Sequence, residues 1–74
     1  MAKPVAAKIE GNSITLLDYQ GNRIGYAGSA GMASGERWVS AVVNGVNLVG
    51  TTNRGAVVIW ELREGTTPMV VGRR

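Results

Sequence analysis

The chain contains no cysteine and no histidine. The first absence removes disulfides, thiolate nucleophiles and thiolate metal sites. The second removes the commonest general base and the commonest metal ligand. Asp18 is the sole aspartate, so a calcium loop of spaced Asp and Asn residues is excluded as well. Helical patterning is missing: no segment repeats apolar residues at i, i+3, i+4 and i+7 over three turns. No run approaches the roughly 20 apolar residues of a membrane-spanning helix. Residues 1–10 lack the continuous apolar stretch of a signal peptide. The expectation is a soluble chain, cytoplasmic by default, with no metal, no cofactor and no membrane partner.

What is present reads as strands and turns. The 74 residues make one domain, with residues 1–4 and 73–74 expected as flexible tails. Glycine supplies 11 of them, about twice the usual share of roughly 7%. Short, β-branched apolar runs lie between Gly and Asn, which is the signature of an all-β antiparallel meander. Strands are expected at 5–10, 13–18, 23–27, 37–43, 46–51, 56–63 and 69–72, packed as a small barrel or sandwich. Gly11-Asn12 and Asn44-Gly45 read as hairpin turns, the second as type I′ with positive φ at both central residues. Pro68 cannot donate to a ladder, so the last strand starts after it or lies at an edge.

Alternation along the strands says which faces are buried. In the sixth strand Val58, Trp60 and Leu62 share one face, and Val57 and Ile59 share the other. In the fourth, Val39, Ala41 and Val43 oppose Trp38, Ser40 and Val42. Strands apolar on both faces are covered on both faces. A chain this short has little surface to spare for that, and without disulfides or metals its remaining reinforcement is assembly. Trp38 and Trp60 both lie in the most apolar strands and are expected in the core, Trp60 in particular because it shares its face with Val58 and Leu62.

The segment 38–65 resembles one blade of a β-propeller of the WD-repeat type. The strand Val39-Ser40-Ala41-Val42-Val43, the Asn44-Gly45 turn and Leu48-Val49-Gly50-Thr51 carry the likeness. Asn53-Arg54-Gly55, Val57-Val58-Ile59-Trp60-Glu61-Leu62 and the closing Gly65 complete it. The repeat family has an early Gly-His pair and a signature ending in Asp, whereas this chain has no His and follows Trp60 with Glu61. The resemblance implies an interaction platform in which several copies build one ring, since propellers need about four to eight blades.

Catalytic constellations are not found. Ser13, Ser29, Ser34 and Ser40 have no histidine to act as base. Gly25, Gly28, Gly31 and Gly35 match neither a P-loop nor a dinucleotide fingerprint. They read as a connection of small residues, able to let another backbone approach closely. Glu61 and Glu64 read as solvated surface.

The net charge is +3. Without Lys3, Arg73 and Arg74 the body is neutral, which places the excess on the ends. Two function classes follow. The first is a non-catalytic structural or protein-interaction module that self-associates, with Gly28, Gly31, Met32, Trp38, Val57 and Ile59 as candidate interface. Small modules of this kind occur among phage and mobile-element assembly components. The second is a small nucleic-acid-binding β-barrel of the OB or SH3-like kind, with Arg37, Arg54, Arg73 and Arg74 as candidate contacts to an anionic partner, used together with Lys3 and Tyr26. The neutral body ranks it second, and an enzyme third.

Overall fold

The computed structural model describes residues 4–28, 33–63 and 67–74. Seven strands follow in order: β1 (Ala6–Glu10), β2 (Ser13–Leu17), β3 (Arg23–Ala27), β4 (Trp38–Asn44), β5 (Asn47–Thr52), β6 (Val57–Glu61) and β7 (Met69–Arg73). Every expected strand forms, with ends within two residues of the expected ones. Two antiparallel sheets result, β1-β2-β3 and β4-β5-β6-β7, each in chain order. Among the described residues no helix is long and apolar enough to cross a membrane.

The first tight hairpin turns at Gly11-Asn12 as expected, and the second differs from the expected turn chemistry. Asn44 pairs with Asn47, so the second loop is Gly45-Val46 rather than Asn44-Gly45. Gly45 has φ +62°, and among the described residues no non-glycine residue has positive φ. Positive φ at the first loop position alone is the type II′ pattern. The Gly11-Asn12 loop repeats it, with φ +61° at Gly11.

That repetition is general. Gly11 and Gly45 are 34 residues apart, as are Gly21 and Gly55, both at φ +83°. The ladder Ala6↔Leu17 to Glu10↔Ser13 recurs at the same offset as Ser40↔Thr51 to Asn44↔Asn47. The second connections match too. Asp18 Oδ1 accepts from the backbone N–H of Gln20 and Asn22. Thr52 Oγ1 accepts from those of Arg54 and Ala56 in the corresponding turn. The chain is therefore two copies of a three-stranded meander, with β7 added to the second.

The copies part at one residue. In β5–β6 the register runs without interruption from Asn47↔Glu61 to Thr51↔Val57. In β2–β3 it steps from Leu17↔Arg23 to Leu16↔Gly25, leaving Ile24 as a bulge. An extra residue reverses which side chains face inward beyond it. Trp60 is consequently buried at 3% exposure, while Tyr26, its counterpart in the first copy, is 65% exposed. Val39 and Val71 are bulge residues of the same kind in β4 and β7. The bulge at Val39 also corrects the expected facing of β4: Ala41 and Val43 turn inward with Trp38, and Val39 turns out.

The inner faces of the two sheets form one core of Ile14, Leu16, Ala27, Trp38, Leu48, Val58, Trp60 and Leu62. Trp38 and Trp60 meet with ring centroids 5.3 Å apart and planes tilted by 59°. The Trp38 indole N–H donates to the Asn12 carbonyl at 3.2 Å, tying β4 to the β1–β2 hairpin.

Residues 73–74, expected as a tail, are paired. Arg73 lies opposite Val58. Arg74 and Val57 exchange both backbone hydrogen bonds, at 2.8 and 3.0 Å. Of residues 1–4, Pro4 alone is described.

Candidate functional site

The outer face of β4–β7 is built by the period-2 alternation of its strands. Directly opposed residues share a face, so the register places Val42, Val49 and Ile59 in one row across three strands, ending at Gly72 of β7. Ser40, Thr51 and Val57 form the row on one side, extended to Arg74 by its backbone pairing with Val57. Asn44, Asn47, Glu61 and Met69 form the row on the other. Among the described residues nothing packs over Val42, which is 55% exposed, while Val49, Val57 and Ile59 are half-buried and Gly72 lies beside Ile59.

Of the expected interface residues, Val57 and Ile59 stand on this face. Trp38 does not: it is 3% exposed and belongs to the core, because the Val39 bulge turns it inward. Gly28 follows β3 and is exposed, with open space where a Cβ would stand. Gly31 and Met32 lie outside the described residues. Sequence reasoning missed Val42 and Val49 as members of the row. The signal for them was the pairing of β4 with β5, which alternation within one strand does not supply.

The second feature is the end of this sheet where β4 starts and β7 finishes. Arg37 donates its backbone N–H to Asn53 Oδ1 at 3.0 Å and accepts from Asn53 N–H at 2.9 Å. This locks the entry to β4 onto the β5–β6 turn that carries Arg54. Glu36 sits among them. Its carboxylate accepts from Ala33 N–H at 2.9 Å and from the Thr52 hydroxyl at 2.7 Å. The Ala33 bond first, then the Thr52 bond, and then the positive charges of Arg54 and Arg73 hold its carboxyl below the ordinary value. The four arginines singled out from the sequence are thus gathered at one end of the four-stranded sheet.

The first sheet carries a shallow open concavity on its own outer face, lined by Glu10, Ser13, Thr15, Arg23, Gly25 and Tyr26. Glu10 is the hub: Thr15 Oγ1 donates to it at 2.5 Å and Arg23 Nη2 at 2.6 Å. The Thr15 hydrogen bond, ahead of the Arg23 charge, lowers the Glu10 carboxyl. These bonds tie the Glu10 carboxylate to both Thr15 and Arg23.

Compared with known proteins, the chain matches no family model, no curated protein and no solved structure.

Proposed function

We propose that the chain is a non-catalytic structural module that associates with further copies of itself through the outer face of β4–β7. The observation that carries this reading is the apolar row Val42–Val49–Ile59, which no other part of the described chain covers. The partner face is argued from the edges. Edge strands invite pairing with another chain, and bulges blunt them. Three of the four edge strands, β3, β4 and β7, carry a bulge at Ile24, Val39 and Val71. Edge-to-edge growth is disfavoured while the face stays open, so copies meet face to face, the packing in which two sheets lie about 10 Å apart. A ring of blade-like copies is one form such an assembly takes.

The test is absolute mass by light scattering over a concentration range. A discrete oligomer is expected, and Val42→Lys should return the chain to monomer with its circular dichroism unchanged. A wild-type chain that stays monomeric at micromolar concentration overturns the reading.

A further inference from the structure

The outer faces of the two sheets differ although their ladders correspond. In the second sheet the register sets Val42, Val49 and Ile59 in one row. In the first sheet the same register positions hold Lys8, Thr15 and Tyr26. One copy is therefore apolar on this face, and the other is polar with one aromatic. The bulge at Ile24 completes the contrast. In a regular strand Arg23 and Tyr26, three positions apart, would point to opposite faces. The extra residue brings both to the rim of one concavity, the use to which bulges beside sites are commonly put.

That concavity has a volume of about 410 Å³ and lies between Glu10, Ser13, Thr15, Arg23, Gly25 and Tyr26. Small-molecule sites span roughly 300–1,000 Å³. We propose that this face binds a neutral saccharide, with one pyranose ring stacked on Tyr26 and its vicinal hydroxyls on Glu10 and Arg23.

The chemistry of each group selects that class. The exposed Tyr26 offers a flat apolar ring with a polar tip, and the C–H face of a pyranose is its complement. Vicinal hydroxyls donate and accept at once. Glu10 accepts one bond at each carboxylate oxygen, from Thr15 at 2.5 Å and from Arg23 at 2.6 Å, which leaves a lone pair on each. Arg23 uses Nη2 for that bond and is largely exposed, so its other N–H groups reach solvent. A hydroxyl can therefore join the pair without breaking it. A phosphate or carboxylate would have to displace Glu10 from Arg23, which disfavours anions. Thr15 is buried beneath the pair and fixed by its bond to Glu10, so the polar floor is already ordered before a ligand arrives.

The experiment is a heteronuclear NMR titration of the chain with maltotriose, cellotriose, laminaritriose, mannotriose and chitotriose, each taken to millimolar excess. At least one should give saturable shifts confined to the amides of β1–β3. Tyr26→Ala should weaken that saccharide at least about tenfold, whereas Tyr26→Phe should hold it within about twofold because the ring makes the stack. Glu10→Gln should weaken it at least about fivefold through the lost charge-assisted bonds. Tyr19→Ala, which removes the exposed tyrosine of the β2–β3 turn, should leave it within about twofold. Near-ultraviolet dichroism from the Trp38–Trp60 pair confirms folding of each variant. No saturable shift with any of these saccharides overturns the proposal. So do shifts centred on the second sheet, and so does undiminished binding by Tyr26→Ala. Equal or stronger binding of an oligothymidylate on the same residues also overturns it, since Tyr26 would then be a platform for bases. The proposal does not depend on self-association, since it uses other residues and another readout.

Discussion

Gly50 of β5 lies against the indole of Trp38. A methyl group at Gly50 would stand 2.9 Å from Trp38 Cζ3 and 3.0 Å from Ile14 Cδ1. The restriction is steric alone, because Gly50 is not among the positive-φ glycines. The ring is rigid and is itself held by its bond to Asn12, so it has no cheap way to retreat. Gly50→Ala is expected to cost about 1–3 kcal/mol as an overpacked core position. Urea denaturation followed by tryptophan fluorescence reads it, and an unchanged midpoint would show that the two sheets can part at no cost.

Trp60 is the largest side chain on the inner face of β6, packed between Val58, Leu62 and Trp38. Trp60→Ala should cost roughly 3–5 kcal/mol. In a domain this small that is most of the available stability, so the variant is expected to be largely unfolded at 37 °C. Far-ultraviolet dichroism would register a folded variant, against the expectation.

The second hairpin distinguishes two turn types. With positive φ confined to Gly45, Gly45→Ala should destabilise by roughly 1 kcal/mol or more. Asn44→Ala, which alters a strand residue, should change stability by less than about 0.5 kcal/mol. Equal costs at both positions would point to the type I′ turn instead.

Acid should loosen the fold through two carboxyls that cap turns. Asp18 is lowered first by the Asn22 backbone N–H and then by that of Gln20, and Glu36 first by that of Ala33 and then by the Thr52 hydroxyl. Both are depressed on folding, so the unfolded chain takes up protons first as pH falls. The stability they give is whole above their ordinary values of 3.8 and 4.5 and is lost as pH drops through the lower folded values. The urea midpoint should be level from neutrality to about pH 5 and fall below it. Glu36→Gln should start lower and fall less steeply; a parallel curve would remove Glu36 from the explanation.

Much of this architecture was legible because local signals agreed with one another. Strand positions followed from β-branched runs bounded by glycine, and the burial of Val58, Trp60 and Leu62 followed from period-2 alternation in an uninterrupted strand. What the sequence hid lay in the pairing. The bulges at Ile24, Val39 and Val71 leave no mark in composition, yet each reverses the facing of its strand. Trp38, expected in the core from its apolar strand yet also kept as an interface candidate, is settled as core only by the Val39 bulge. The arginine end was hidden for a related cause. Arg37, Arg54 and Arg73 are far apart in sequence, and only the β4–β5–β6–β7 order makes them neighbours.

Ile24 gives the two meanders different outcomes from nearly the same plan. The ladder and turn bonds of the two are superposable in sequence up to Arg23 and Val57, and beyond the one extra residue, Ile24, an aromatic becomes outside in one and inside in the other. The bulge therefore works as a phase setting, with inside and outside as its two values. Deleting a single position in β3 would exchange the roles of whole side-chain sets at once. Substituting any one of those side chains would not.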